Sequence, residues 1–247
     1  SDCEEEIKVM AGMQKRQSSD RVNTVRSAIL IALGSLGGLL VIAGIYFSTD
    51  LSKNTVPQAG VDYEVISTIE RPRARGPIVV EEFFSYGCIH CRNFEPTLKA
   101  WAGTPRDDVT FSRRPASFSP SWALLGQAYL ALAETDTVDA LHQSLFSAVH
   151  DRGIQFRSAE QIAEFLDGTT LTADEFLRAF NSPSVRRGLS RADSDMRRFG
   201  INSVPTMVIA GKYRVTMDNG NQRALEVTDY LIEQERAARA TPLPGAD

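Results

Sequence analysis

Apolar residues first gather along this chain without any rhythm. Ala28 to Phe47 reads AILIALGSLGGLLVIAGIYF, twenty residues without a charge, a length that at helical rise matches the hydrocarbon thickness of a bilayer. The run predicts one transmembrane helix over 28–47, after an N-terminal segment 1–27. Residues 48–60 are polar, with Pro57 and Gly60 and no apolar period, and read as a linker. Beyond it the rhythm becomes that of a sheet: Val61 to Ile69 alternates, and Ile78 to Phe84 (IVVEEFF) is a continuous β-prone run of the kind that fills a central strand. Cys88 to Trp101 then carries Phe94, Leu98 and Trp101 at helical spacing, and Val109 to Arg113 is another short strand, giving β-β-α-β with a parallel crossover.

From Pro120 to Phe199 the period stays helical. Stretches over Trp122–Glu134, Val138–Val149, Ala159–Leu166, Ala173–Phe180 and Val185–Phe199 read as an all-helical insertion at about 120–199. Start signals agree, with Ser158-x-x-Gln161 and Thr172-x-x-Glu175 as capping boxes and Pro183 ahead of the last helix. Val204–Ala210 and Tyr213–Thr216, separated by Gly211-Lys212, read as a hairpin, and Thr228–Arg239 as a closing helix. The exported domain thus spans 61–240, and 241–247 reads as a disordered tail.

Charge orients the apolar run. Lys8, Lys15, Arg16, Arg21 and Arg26 precede it, whereas Asp50, Lys53, Asp62 and Glu64 follow, so the positive-inside rule puts the N-terminus in the cytoplasm and the domain outside. The expectation is a single-pass protein of the inner membrane with a periplasmic domain. A signal peptide cut near Val41-Ile42-Ala43 is the competing reading, and it exports the domain equally. Gly34 and Gly38 form a weak small-xxx-small pair. Across the chain, a net charge of −4 and the absence of a basic run with interleaved aromatics exclude a nucleic-acid binder.

Three cysteines are too few for a disulfide-stapled miniature. Cys3 stands alone in the cytoplasmic segment and receives no role. Cys88 and Cys91 form a C-x-x-C at a strand-to-helix junction, where unpaired N–H groups and the positive end of the helix dipole stabilise a thiolate, the attacking species in disulfide exchange. Cys88 is the expected low-pKa nucleophile, Cys91 the resolving thiol, and His90 between them adds a hydrogen bond or charge to the Cys88 thiolate. A zinc or iron–sulfur site needs further ligands, and only His142 and His150 lie outside the motif, on predicted helices where they read as ordinary helix residues. Haem attachment wants His after the second Cys, where Arg92 stands. A purely structural bridge would close a tiny loop and remove little unfolded-state entropy.

FFSxxCxHC, the helical insertion and a late Val204-Pro205-Thr206, about 115 residues downstream of Cys88, together resemble the DsbA family of bacterial disulfide oxidases over about Pro72 to Arg239. The resemblance implies an α/β thioredoxin fold with a helical insertion, with no cofactor or metal beyond the redox-active Cys88–Cys91 disulfide. It implies that Pro205 is cis opposite the cysteines, that Val204 bonds an extended substrate peptide, with Ile89 completing that surface, and that Glu82 is the buried acid relaying the proton of Cys91. Glu81 takes that place if the strand register slips by one. Ile89 stands where the family usually has proline, which leaves the potential of the couple open. The implied activity is donation of the disulfide to thiols of exported proteins, with reoxidation by a quinone-linked membrane partner of the DsbB or vitamin-K-epoxide-reductase type. A disulfide isomerase or reductase is the enzymatic alternative, and a peptide-binding chaperone without turnover the alternative of another class.

Overall fold

The computed structural model describes residues 29–44, 56–66 and 76–240. The chain divides between Val56 and Pro57 into two compact units. In the first, residues 29–44 form a helix, α1, whose large apolar side chains, Ile31 and Ile42 among them, are exposed. At sixteen residues it covers about 24 Å. Among the described residues no helix is long and apolar enough to cross a membrane. The N-terminal segment 1–27 with Cys3, residues 28 and 45–47 of the expected span, residues 48–55 of the expected linker, and the tail 241–247 lie outside the described residues.

The second unit is built on a five-stranded mixed sheet of order β1-β5-β4-β2-β3. Its elements are β1 (Glu64–Val65), β2 (Ile78–Phe84), α2 (Ile89–Ala102), β3 (Val109–Pro115), α3 (Pro120–Glu134), α4 (Val138–His150), α5 (Ala159–Leu166), α6 (Ala173–Phe180), α7 (Pro183–Phe199), β4 (Thr206–Ile209), β5 (Tyr213–Thr216) and α8 (Asn221–Ala240). β2 and β3 run parallel in register from Ile78↔Val109 to Phe84↔Pro115, as the β-α-β pattern requires. β4 lies antiparallel on the other side of β2, and β5 and β1 complete the sheet.

Of the expected strand over Val61–Ile69, residues 67–69 lie outside the described residues, and within 61–66 only Glu64–Val65 form a strand. Just before it the chain turns, with Gln58 N donating to Asp62 Oδ2 (3.0 Å), Gly60 N donating to Tyr63 O (2.8 Å), and Arg223 of α8 holding the same Asp62 carboxylate. The last residues of the expected linker, 57–60, are therefore part of the compact unit. The closing helix starts seven residues earlier than its apolar period suggests, directly after the turn at Gly220. Thr172 and Glu175 make a complete capping box, but Gln161 departs from one: its side chain accepts from Arg157 N rather than from the Ser158 cap. Pro183 is the first residue inside α7, where its missing N–H costs nothing.

Apolar residues collect in three places. Ile78 and Val80 pack under α2 and α8 on one sheet face, with Phe94, Leu98, Leu231 and Ile232. Phe83 and Val208 pack under α7 on the other face, with Met196 and Phe199. The third cluster fills the helices α3 to α6, and it reaches out of the insertion to take in Phe84, Tyr86, Cys88 and Cys91. The two cysteines therefore lie on the seam between sheet and insertion, past the C-terminal end of the central strand.

Candidate active site

Cys88 closes the turn that leaves β2. Its amide donates to Ser85 O (3.0 Å), the Gly87 amide donates to Ser85 Oγ (3.1 Å), and Cys88 itself is the N-cap of α2. Sulfur here takes the place of the usual capping oxygen: Sγ accepts from the Cys91 amide at 3.4 Å. Both cysteines are free thiols, and both are buried. Gly87 is small for a reason, because a Cβ on it would lie 2.5 Å from Nε1 of Trp122, which α3 lays across the turn.

Both being buried does not make the two sulfurs equal. The hydrogen bond from the Cys91 thiol brings Cys88 down to about 6; burial opposes this, and the backbone N–H groups of Cys91 and His90 and the His90 charge reinforce it. Cys91 is driven far upward, first by burial, then by its bond to Cys88 and the negative charges of Cys88 and Glu82. At neutral pH the site is a thiolate beside a thiol, the arrangement expected from a helix N-terminus. His90 and Ile89 are both exposed, Ile89 at 45%.

Val204 and Pro205 arrive from the far side. Their peptide bond is cis, and the Val204 carbonyl lies 3.4 Å from Cys88 Sγ, placed to accept from its thiol. The structure thus brings the two halves of the sequence pattern, 116 positions apart, into one site.

Beneath the sulfurs lies a layer of buried charge. Glu82 and Glu81 face opposite sides of β2, and Arg113 and Arg114 do the same on β3, so each carboxylate finds a guanidinium across the ladder: Arg113 Nε donates to Glu82 Oε2 (3.1 Å) and Arg114 Nε to Glu81 Oε1 (2.7 Å). Glu82 is the one turned toward the cysteines. Its side chain is 1% exposed, and burial pushes its carboxyl up to about 8 against the pull of Arg113, with Glu95 and Cys88 adding to the rise. Arg113 also holds Glu95 of α2 by two bonds, 2.9 and 3.0 Å. Burial alone would raise the Glu95 carboxyl, but His142 and Arg113 together keep it below the usual carboxylate value.

Both helix histidines read as ordinary from the sequence are drawn into the site. His142 is 5% exposed; its Nδ1 is 2.7 Å from the Tyr86 hydroxyl, and its Nε2 is 3.3 Å from Glu95 Oε2 without the alignment of a hydrogen bond. His150 Nε2 lies 2.8 Å from the Tyr86 carbonyl. A signal for His142 was present, since it follows Leu141 on the stripe that continues through Leu145 and Phe146 into the core. Glu95 carries the same kind of signal, one helical turn beyond the buried Cys91 and one before Leu98. Nothing in the spacing of Arg113 marks it before the strand register is known.

Comparison with known proteins agrees with this geometry. The family model "DSBA-like thioredoxin domain" matches residues 122–231. The thiol:disulfide interchange protein DsbA of Azotobacter vinelandii is 41% identical over 166 residues, 66% of this chain and 78% of that protein. Its counterpart from Pseudomonas aeruginosa is 34% identical over 218 residues, covering 87% of this chain and 98% of the relative. Among solved structures, Pseudomonas aeruginosa DsbA superposes with a TM-score of 0.71 at 35% identity, over 75% of this chain and 97% of that one. The oxidoreductase DsbA from Xylella fastidiosa gives 0.68 at 34%, over 74% and 100%. With the thioredoxin sheet, the helical insertion and the cysteine pair at the head of α2, this chain belongs to the DsbA family and is a thiol:disulfide oxidoreductase.

Proposed function

We propose that the chain is an extracytoplasmic oxidase that donates the Cys88–Cys91 disulfide to thiols of exported proteins. One observation carries this reading: Cys88 is the N-cap of α2 with its Sγ accepting from the Cys91 amide at 3.4 Å while Cys91 is buried behind it, an arrangement that lowers Cys88 and raises Cys91. A couple whose reduced form is a stabilised thiolate has a low-energy product, so its disulfide oxidises readily. A substrate thiolate attacks Cys88 Sγ, the S–S bond breaks, and Cys91 leaves as a thiolate that takes a proton from Glu82. A second substrate thiolate then attacks the substrate sulfur of the mixed disulfide, and Cys88 departs as the thiolate, leaving the substrate oxidised and the enzyme a dithiol. Val204 and Pro205, with the exposed Ile89, form the surface on which the substrate backbone lies. His90 supports the thiolate.

The apolar run 28–47 and the basic residues before it support an inner-membrane anchor with the N-terminus in the cytoplasm and the catalytic unit in the periplasm. Such a tether would keep the enzyme near a quinone-linked membrane reoxidase of the DsbB or vitamin-K-epoxide-reductase type. Equilibration of the full chain against glutathione tests the activity. The expected potential lies well above that of the glutathione couple; one near thioredoxin's would make the protein a reductase or isomerase instead. Alkaline extraction of membranes tests the anchor, with retention in the pellet the expected result.

A further inference from the structure

Tyr86 is held by α4 at both of its ends, and the chain of contacts does not stop there. An ionised carboxylate accepts but cannot donate, so His142, with Nε2 facing Glu95, carries its proton on Nε2 and leaves Nδ1 to accept from the Tyr86 hydroxyl. The direction of the series is then fixed: Tyr86 O–H to His142, His142 N–H toward Glu95, Glu95 to Arg113, Arg113 to Glu82, and Glu82 beneath Cys91. Arg113 is the shared member, serving two carboxylates with one guanidinium.

We propose that His142 is a positioning residue for the thiol chemistry: its Nε2–H, 3.3 Å from Glu95 Oε2 and acting on that carboxylate by proximity rather than as an aligned hydrogen bond, governs how the Arg113 guanidinium is divided between Glu95 and Glu82. The inference rests on the reading that Glu82 exchanges a proton with Cys91. When the His142 N–H is removed, Glu95 is left to Arg113, the guanidinium settles on Glu95, and Glu82 loses part of its ion pair with Arg113. Its proton is then held more tightly. The groups facing His142 are Tyr86 from the turn, Glu95 and Lys99 from α2, Arg113 from β3 and Tyr129 from α3. Those acting on Glu82 are Arg113, Glu95 and Cys88, while Cys91, Tyr86 and Tyr129 in turn feel its charge. Burial holds His142 itself below its ordinary value.

The potential of the Cys88–Cys91 couple in the full chain, measured against glutathione from pH 5 to 9, gives the test. Breaks in that curve mark groups whose proton affinity differs between disulfide and dithiol. The Glu82 break is the one that Glu82→Gln removes. His142→Leu should move it upward by half a pH unit or more, and His142→Gln, which restores an N–H at the Nε2 position, should return it toward the wild-type pH. Circular dichroism and thermal unfolding confirm that each variant folds, since Leu leaves the buried Tyr86 hydroxyl without its partner. A Glu82 break that stays in place in a folded His142→Leu overturns the inference alone. A wild-type curve that Glu82→Gln does not alter overturns the proton-exchange reading and the inference with it.

Discussion

At the scale of single residues, the site is governed by what sits within one bond of each sulfur. Cys88 and Cys91 share a helix turn and a hydrophobic cluster, yet one is lowered to about 6 and the other raised, because the Cys91 thiol and then the N-cap N–H groups donate to the first, while burial, the bond to Cys88 and the charges of Cys88 and Glu82 act on the second. The thiolate absorbance of the reduced protein near 240 nm should therefore titrate with a midpoint near pH 6, and Cys88→Ser should remove that transition together with all turnover. The same shift makes the stability of the reduced form depend on pH. Cys88 has its folded value depressed below its unfolded one of 9.0, so its contribution is fully present above pH 9 and is lost as the pH falls through about 6. The gap in Tm between reduced and oxidised protein should shrink between pH 8 and pH 5, in favour of the oxidised form. Glu82 acts in the opposite sense, since its raised carboxyl stabilises the fold less as the pH climbs from 4.5 toward 8, and because the Cys88 thiolate of the reduced form is one cause of that rise, its contribution is larger in the dithiol than in the disulfide. The cysteine pair could be read from its local pattern, whereas Val204-Pro205 and Glu82 came from the family resemblance, with Glu81 an open alternative until the strand register was known. Glu95, Arg113 and His142 could not be brought together in that way: they come from a helix, a strand and the insertion, and their partnership exists only once all three have packed.

Among the elements, the helices were the more legible. Local signals set them, and α5 and α6 begin and end where the apolar period and the capping residues place them. Thr172 and Glu175 close a reciprocal cap on α6, so Thr172→Ala should cost about 1 kcal/mol and lower Tm by about 2–4 °C in a thermal melt. Ser158→Ala should cost less, because Gln161 caps Arg157 and not Ser158. The start of β1 was placed too early for the opposite reason: alternation from Val61 says nothing of Asp62, whose bonds to Gln58 and Arg223 bend the chain before pairing begins at Glu64. The meeting of α3 with the turn is another contact invisible to periodicity. Gly87→Ala should force Trp122 out of place and slow dithiol oxidation while leaving the far-UV spectrum unchanged, and Trp122→Ala in the same background should recover part of the rate, since it removes the clash.

For the whole molecule, the insertion is more than a decoration on a sheet. Its core takes in Phe84 and Tyr86, and α4 grips Tyr86 through His142 and His150, so the reactive turn is packed as part of the helical layer as much as of the sheet. The order of elements announced a β-α-β unit with helices inserted, but it gave no hint that the insertion would supply half of the wall behind the cysteines. One contact described above carries a last consequence. The Val204 carbonyl accepts from the Cys88 thiol, and a thiolate has nothing to donate. Above pH 6 that oxygen is released, so an acceptor for a visiting amide opens at the moment the sulfur gains its charge, and a peptide lying across the site senses the proton count of the enzyme through its own backbone.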